Sequence, residues 1–522
     1  MGHIELVLFF LLVSVSVLTG LARVINLPYP ILLVVGGSVL GFAPGVPDIA
    51  LDPDLVLLLF LPPLLFNAAY FASVRELRQN LRSITLSAVV LVLTTMSAVA
   101  LALHAAVPGL PWAAAFAFGA IVSPTDPLAA IAITQRLGVP RRLVAVVEGE
   151  SLINDGTALV AYRTAVAATV GGGFDLLSAT GDFVLNVAGG IAVGLVAAEV
   201  LTVVFRRVED DVLGITISLA AGYAAYLPAE HLGVSGVIAA VTVGMIVGHR
   251  AHTLVSAGSR LRGHAFWEVL VFLLNALLFV LVGLQLPGIL ESQERSAWEL
   301  AGLGALAGFV VIATRLAWIN TMPYVIRALD RRPAQRARRV GWRERAVIGW
   351  SGLRGAVSLA AALALPVGFP ERELLIFLTL CVIFATLVLQ GLTLPLLIRR
   401  LGIRDDGETA REELLGRKAA TRAALDRLGE LREEPWTRTE TVDRVMASYE
   451  FRRRRLVQRA GHAEDGDEDL EDRSHAYQRM LREILDAQRR ELVRQRDLGA
   501  ISDSVLHRLD REFDLEDQRL EI

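Results

Sequence analysis

The feature that most constrains this fold is a series of apolar runs that follow one another from the N-terminus to about residue 400. The hydrocarbon core of a bilayer is about 30 Å thick, and a helix of roughly 20 apolar residues crosses it. Thirteen segments of this kind occur, near residues 4–25, 28–44, 53–71, 82–106, 111–134, 143–170, 180–205, 211–228, 232–248, 265–287, 298–326, 346–366 and 373–398. The sequence therefore predicts an all-α polytopic membrane protein with about 13 transmembrane helices.

The composition agrees with a membrane protein and excludes other classes. Hydrophobic residues make up 54% of the 522 residues and charged residues only 20%, with a formal net charge of −3. This even balance of charge argues against a nucleic-acid binder. The phosphate-binding and phosphorylation motifs of primary pumps are absent, as are the HExxH and GxGD motifs of intramembrane proteases. The chain is therefore not expected to be an enzyme.

Arginine placement indicates how the chain crosses the membrane. The links after odd-numbered segments contain most of the arginines between segments: Arg23, Arg75, Arg78, Arg82, Arg136, Arg141, Arg142, Arg206, Arg207, Arg250, Arg260, Arg262 and a dense set from Arg327 to Arg345. The links after even-numbered segments contain only Arg295 and Arg372. Cytoplasmic loops carry the excess of positive charge, so the N-terminus is predicted outside and the C-terminus in the cytoplasm. We expect the membrane to be the cell membrane, the inner membrane of a bacterium.

The composition changes after residue 400. Residues 1–402 form the predicted transmembrane domain, whereas residues 403–522 are rich in charge and place leucines at helical spacing. This spacing predicts amphipathic helices in a cytoplasmic C-terminal domain. Its role is open between regulation, support of a dimer and a solvated structural appendage.

Ionisable residues inside the predicted membrane segments are the candidates for function. A charge near the centre of a bilayer is costly and rarely retained without a role. The candidates are Asp126, Glu148, Glu150, Asp155, Arg163, Glu199, Arg315 and Arg354. The sequence assigns no role to Glu148, Arg163 or Glu199.

Matched depth in the membrane predicts which of these charges pair. At 1.5 Å per residue, Asp126, Glu150 and Arg354 lie about 12 to 13 Å from the cytoplasmic ends of their segments. Asp155 and Arg315 lie deeper, at about 18 to 20 Å. A buried carboxylate and an arginine at one depth are expected to pair, so Glu150 and Arg354 are predicted to form a structural ion pair.

The sixth segment presents oxygen atoms on one helix face. Ser151 and Asp155 are spaced i and i+4 and share this face, while Glu150 and Asn154 share a neighbouring one. Hydroxyl and carboxylate oxygens suit a hard cation such as Na⁺ better than an anion or an organic substrate. A purely structural polar network is the alternative.

Two segments carry helix breaks at matching positions. In the fifth segment, SPTDPLA (Ser123 to Ala129) places two prolines around an aspartate, and proline disfavours helix just before it. In the twelfth, SGLRGAVS (Ser351 to Ser358) places two glycines around an arginine. These two segments run in opposite directions, which predicts an inverted repeat whose broken helices cross at a midplane ion site. An ordinary proline kink is the alternative.

These motifs resemble those of the monovalent cation/proton antiporters, specifically the electroneutral sodium/proton exchanger branch with its bacterial NhaP-like and NHE-like members. The matching stretches are LPPLLFNAA (Leu61 to Ala69), SPTDPLA, EGESLINDGTA (Glu148 to Ala158), the segment around Arg315, and GWSGLRGAVSLA (Gly349 to Ala360). They follow the order of the family and span the whole membrane region.

The resemblance implies a role for each matching residue. The implied ligands of the transported monovalent cation are Thr125, Asp126, Ser151 and Asp155. Asp155 is the implied essential carboxylate, which binds either the cation or a proton. Asn154 stands beside it, where electrogenic relatives carry a second aspartate.

Further residues are implied to support this site. Glu150 and Arg354 match a stabilising ion pair, and Arg315 matches the cationic group beside the broken helices. Asn67 stands where some members have a glutamate, so it is a candidate polar gate or ligand contact without a proton-carrying role. The resemblance also implies a homodimer in membrane lipid and no cofactor besides the transported ions.

The expected function is exchange of a monovalent cation, Na⁺ first and Li⁺ or K⁺ as further candidates, for a proton. A buried carboxylate holds a cation or a proton but not both, so alternating access couples one to the other and predicts a bell-shaped pH dependence. Because Asn154 is neutral, a one-to-one exchange moves no net charge. The alternatives are a cation channel and a cation or pH sensor on a transporter scaffold.

Overall fold

The computed structural model describes residues 2–25, 28–43, 53–171, 176–291, 293, 295–329, 340–405, 407–459 and 468–520. Every regular element in these ranges is a helix. The chain divides into two compact units, Met1–Asp405 and Asp406–Ile522. Part of the basic link predicted to be cytoplasmic, residues 330–339, lies outside the described ranges.

The first unit is a set of helices that follow the predicted segments. Those described are α1 (Gly2–Ile25), α2 (Tyr29–Gly41), α3 (Pro53–Phe71), α4 (Val74–Ala106), α5 (Trp112–Val122), α6 (Pro127–Arg136), α7 (Arg141–Gly171), α8 (Leu176–Phe205), α9 (Asp211–His231), α10 (Gly236–Leu254), α11 (Ala257–Glu291), α12 (Ala297–Leu329), α13 (Trp342–Trp350), α14 (Ala356–Leu363) and α15 (Arg372–Leu401). Helices α4 and α15 each contain a π-helical turn. The fifth predicted segment is split into α5 and α6, and the twelfth into α13 and α14.

Seven of the described helices are long and apolar enough to cross a membrane: α4, α8, α9, α10, α11, α12 and α15. Shorter apolar stretches lie in α1, α2, α3 and α5. Helix α7 has 31 residues but carries the charges of the predicted site, which lower its hydropathy. The chain is thus a multi-pass membrane protein, and the number of thirteen crossings stays a prediction.

Several helices extend beyond the predicted spans. Helix α4 begins at Val74 instead of near residue 82, with Ser73 as its N-cap accepting a hydrogen bond from the Glu76 amide at 3.3 Å. Helix α11 begins eight residues before the predicted 265. The length of an apolar run predicts only the part of a helix that crosses the bilayer, and the added turns are polar.

Close helix packing holds the first unit together around the split segments. Helix α11 packs along α2, and at Gly37 and Gly283 the two backbones leave no room for a Cβ on either residue. Small residues allow membrane helices to approach in this way. The main hydrophobic core includes Phe118 of α5, Leu353 between α13 and α14, and Leu359 of α14, all fully buried.

The second unit consists of two helical hairpins in its described part. Helix α16 (Glu408–Leu431) contacts α17 (Thr439–Arg459), and α18 (Glu468–Asp497) contacts α19 (Asp503–Leu520). A salt bridge of 2.8 Å between Arg489 and Asp514 joins the second hairpin. These helices fall within the amphipathic stretches of the predicted tail, whose cytoplasmic location and role stay predictions.

Candidate cation-binding site

The two split segments touch each other at their breaks. The chain is not helical at residues 123–126, between α5 and α6, or at residues 351–355, between α13 and α14. The backbone N–H of Asp126 donates a hydrogen bond of 2.8 Å to the carbonyl of Leu353. Each break leaves backbone N–H and C=O groups without a partner inside its own helix, and the two breaks supply some of these partners to each other. Irregular backbone inside a membrane requires partners of this kind.

A buried arginine lies at the carbonyl end of each half-helix that leads into a break. Arg354 donates from Nε to the carbonyl of Val122, the last residue of α5, at 3.0 Å. Arg315 of α12 donates to the carbonyls of Ile348 and Gly349 in α13, at 3.1 and 3.2 Å. The carbonyl end of a helix carries a partial negative charge, so each guanidinium stabilises the half-helix that it contacts.

The buried ion pair differs from the predicted one. Glu150 of α7 pairs with Arg315, through Oε1 and Nη1, and its carboxylate forms no salt bridge with Arg354. Glu150 and Arg315 are each 1% exposed, so the pair is shielded from water. The prediction compared the depths of backbone positions, whereas an arginine side chain is long enough to carry its charge to another level. The Arg354 guanidinium instead donates hydrogen bonds to the backbone carbonyls of Val122 and Gly352.

Removing the acidic partner of this pair is expected to destabilise the protein. Glu150→Gln leaves the Arg315 guanidinium buried without a counter-charge, and breaking a buried pair in this way costs about 3–5 kcal/mol. Thermal unfolding of the detergent-solubilised protein measures the effect as a lowered Tm. The matched control is Glu199→Gln, because Glu199 forms a 2.8 Å salt bridge with Arg250 but its side chain is 63% exposed. Equal Tm values for the two variants would contradict a stabilising role for the buried pair.

The carboxylate of Asp126 lies at the amide ends of the other two half-helices. Asp126 directly precedes α6, and its Oδ2 lies so close to Gly355, which directly precedes α14, that no Cβ fits on this glycine. The amide end of a helix carries a partial positive charge and stabilises an anion. The point where the two breaks meet therefore has an arginine at each of the two carbonyl ends and a carboxylate at the two amide ends.

Hydrogen bonds tie α7 to the first break. Ser151 donates from Oγ to the carbonyl of Thr125, and Asn154 donates from Nδ2 to Thr125 Oγ1 at 2.9 Å. All three residues are buried. These contacts fix the position of Asp155, which follows Asn154 in α7, relative to the break.

A cavity of about 220 Å³ lies beside the break and α7. Four residues predicted as cation ligands line it together: Thr125, Asp126, Ser151 and Asp155. Asn67 of α3 also lines the cavity. The predicted site residues Asn154, Glu150, Arg315 and Arg354 do not line it. Asn154, Arg315 and Arg354 form hydrogen bonds to the split segments, and Glu150 pairs with Arg315. Two carboxylates and two hydroxyls around one cavity provide the oxygen ligands that a hard monovalent cation prefers.

Three further polar residues line this cavity: Glu148, a candidate to which the sequence assigned no role, and Asn275 and Ser358, which sequence reasoning missed. Glu148 lies seven residues before Asp155, so helical spacing could have placed it on the same face of α7. Asn275 of α11 is 1% exposed, and its Nδ2 donates to the carbonyl of Val271 at 2.8 Å, which leaves Oδ1 as an acceptor. A lone amide in an apolar run was the available signal for Asn275, but this residue lies outside the motifs that predicted the site.

Two charged residues without a predicted role belong to salt bridges away from this cavity. Arg163 of α7 pairs with Glu230 of α9 at 2.8 Å, and Glu199 of α8 pairs with Arg250 of α10 at 2.8 Å. Neither pair lines the cavity. Pairing between neighbouring helices therefore accounts for the presence of these charges inside predicted spans.

Two broken helices meet here beside a cavity lined by carboxylates. This arrangement is typical of membrane proteins that move ions through a site within the bilayer. A family model described as the transmembrane part of the sodium/hydrogen exchangers matches residues 10–400. The chain belongs to the sodium/hydrogen exchanger family, which confirms the resemblance seen in its motifs.

Comparisons with individual proteins agree with this assignment. The chain is 37% identical over 520 residues to an uncharacterized Na⁺/H⁺ exchanger of Mycobacterium tuberculosis, covering 98% of this chain and 95% of the relative. It is 33% identical over 441 residues to the low-affinity Na⁺/H⁺ antiporter NhaS1 of Synechocystis, covering 83% and 82%. The solved structure of the sodium proton antiporter MjNhaP1 from Methanocaldococcus jannaschii has a TM-score of 0.60 at 18% identity, covering 76% of this chain and 99% of that one. The similarity to the MjNhaP1 structure shows a shared fold.

Proposed function

We propose that the protein exchanges a monovalent cation for a proton across the cell membrane, one for one, with Na⁺ as the first candidate and Li⁺ or K⁺ as further ones. The observation that carries the proposal is the cavity that brings Asp155 and Asp126 together with the oxygens of Thr125 and Ser151. Membership of the sodium/hydrogen exchanger family supports it, as does similarity to a low-affinity Na⁺/H⁺ antiporter.

Competition for one carboxylate couples the two ions. The charge of Asp126 is already balanced by two helix amide ends, whereas Asp155 lies within α7 and is 9% exposed. Asp155 is therefore the group that binds a cation or a proton in turn, since one carboxylate does not hold both. When either ion neutralises the site, the protein can switch the side of the membrane to which the site is open. When the site is empty and charged, this switch does not occur.

The cavity is proposed to open toward the cytoplasm. Phe71 and Ala72, at the end of α3, line it, and the link that follows them contains Arg75 and Arg78. Excess arginine in a link indicates the cytoplasmic side. The outside location of the N-terminus, the cytoplasmic C-terminus, the bacterial inner membrane and the homodimer stay predictions.

Transport by purified protein in liposomes tests the function. A pH-sensitive dye inside reports proton movement when Na⁺, Li⁺, K⁺ or choline is added outside, with the membrane potential clamped or free. Electroneutral exchange predicts a dye response to the transported cation, no response to choline, and no effect of clamping. A cation current without a dye response would instead indicate a channel, and silence in both would favour a sensor.

Asn154→Asp is expected to make exchange sensitive to the membrane potential. The substitution adds a second ionisable carboxylate next to Asp155 and replaces the amide that donates to Thr125. Two protons for one cation then move one net charge per cycle, so an imposed potential changes the initial rate. Asn320→Asp, at an exposed position of α12, serves as the control and should leave exchange indifferent to the potential. Potential-independent exchange in Asn154→Asp would argue against a role for position 154 in stoichiometry.

A further inference from the structure

A second and larger cavity, of about 830 Å³, lies between the ends of α3, α4, α8, α9, α10 and α11. Aromatic and aliphatic side chains form much of its wall, including Phe205, Ile215 and the buried Trp267. The indole of Trp267 donates from Nε1 to Ser218 Oγ at 3.1 Å, which satisfies its polar atom and holds the ring in the wall. The cavity is thus preformed, and the buried part of its wall is mostly apolar.

The charged residues and the histidines of this cavity wall are basic and exposed. They are Arg75, His249, Arg260 and His264, and none of the described residues in the wall is acidic. Neither Arg75 nor Arg260 forms a salt bridge with a described residue, although nearby arginines do. Arg250 pairs with Glu199 at 2.8 Å, and Arg262 pairs with Asp211 at 3.6 Å. Two guanidiniums without a carboxylate partner among the described residues therefore line one cavity, and that of Arg260 also donates from Nη1 to the carbonyl of Val255.

The arginine pattern places this cavity at the cytoplasmic surface of the membrane. Its wall is built at the links after α3, α8 and α10, which are among the links rich in arginine. Basic pockets between transmembrane helices on this side of a membrane bind the headgroups of anionic lipids. The combination of an apolar wall and a basic rim matches a molecule with a phosphate at one end and hydrocarbon at the other.

We propose that this cavity binds the phosphate-bearing headgroup of an anionic phospholipid, with Arg75 and Arg260 contacting the phosphate. A guanidinium forms paired, charge-assisted hydrogen bonds with phosphate oxygens. A soluble phosphate compound shares that chemistry, but the size of the cavity and its apolar wall favour the lipid. Phe71 lines both cavities and packs against His264, with ring centroids 5.2 Å apart. The lipid would therefore lie one side chain away from the cation cavity.

Lipid-dependent thermal stability of the full-length protein in detergent tests this site. Phosphatidylglycerol, phosphatidylcholine or inorganic phosphate is titrated into the parent protein, the double variant Arg75→Gln with Arg260→Gln, and a control. The control is Arg78→Gln with Arg207→Gln, which removes the same charge from exposed positions of arginine-rich links that do not line the cavity. Phosphatidylglycerol alone should raise the Tm of the parent and the control. Its half-maximal concentration should be roughly thirtyfold higher in the cavity variant, from about one kcal/mol per arginine.

A second variant separates loss of the site from loss of folding. Gly263 lines the cavity, and a Cβ added there meets only Ile215 Cγ1 at 3.8 Å, so Gly263→Leu should fold and fill the space. It too should lose the phosphatidylglycerol effect while keeping the parent Tm in phosphatidylcholine. Equal stabilisation of all four proteins by phosphatidylglycerol would overturn the site. Stabilisation of the parent by inorganic phosphate alone would overturn the lipid as its ligand. Binding is measured without transport, so failure of the exchange activity would not affect this result.

Discussion

Asp155→Asn is expected to abolish cation-dependent proton movement in proteoliposomes, to the level of liposomes without protein. Asparagine has nearly the same shape as aspartate but neither releases a proton nor offers a charged ligand to the cation. Asp155 is 9% exposed and lies on the cavity wall. The other carboxylate of α7 on this wall, Glu148, lies seven residues earlier, about 10 Å along the helix, so it does not take the place of Asp155. Folding should survive, since removing a buried charge also removes its desolvation cost.

The control for this variant is Asp182→Asn, at an exposed position of α8. It should keep the parent rate, and both variants should elute as folded protein with a Tm at or above that of the parent. Exchange by Asp155→Asn at the parent rate would contradict the mechanism in which this carboxylate alternates between the two ions. If Asp155→Asn lost its exchange activity and also had a much lower Tm than the parent, Asp155 would be needed for folding, contrary to this prediction.

Gly355→Ala is expected to remove most of the exchange activity although it adds a single methyl group. The new Cβ would occupy the position of the Asp126 carboxylate, so either this side chain or the start of α14 must move. Overpacking of this kind costs about 1–3 kcal/mol in a well-packed interior, and here it falls on a group that lines the cation cavity. Initial exchange rates over a series of Na⁺ concentrations measure the loss as a lower maximal rate and a higher half-saturating concentration.

Gly302→Ala is the matched control for the added methyl group. Gly302 lies in α12, and a Cβ there has nothing within 4 Å. The variant should exchange at the parent rate and gain about 1 kcal/mol of stability, as alanine favours helix over glycine. If Gly355→Ala exchanged as well as Gly302→Ala, Asp126 would not lie against the second break as described.

The sequence alone determined the features of this protein that depend on local chemistry. Apolar length predicted helices in the membrane, and the prolines of SPTDPLA and the glycines of SGLRG predicted where two of them break. The spacing of Ser151 and Asp155 predicted a shared helix face, and both residues line the cavity. Such features follow from a few neighbouring residues, so no knowledge of the rest of the chain was needed.

The tertiary structure alone decided which distant groups meet. Depth along the chain could not distinguish Arg315 from Arg354 as the partner of Glu150, because the reach of a side chain and the tilt of its helix set the contact. Asn275 joins the cavity wall from α11, and the basic cavity is assembled from the ends of six helices. Packing between separate helices creates these sites, and no spacing along one sequence records which helices will be neighbours.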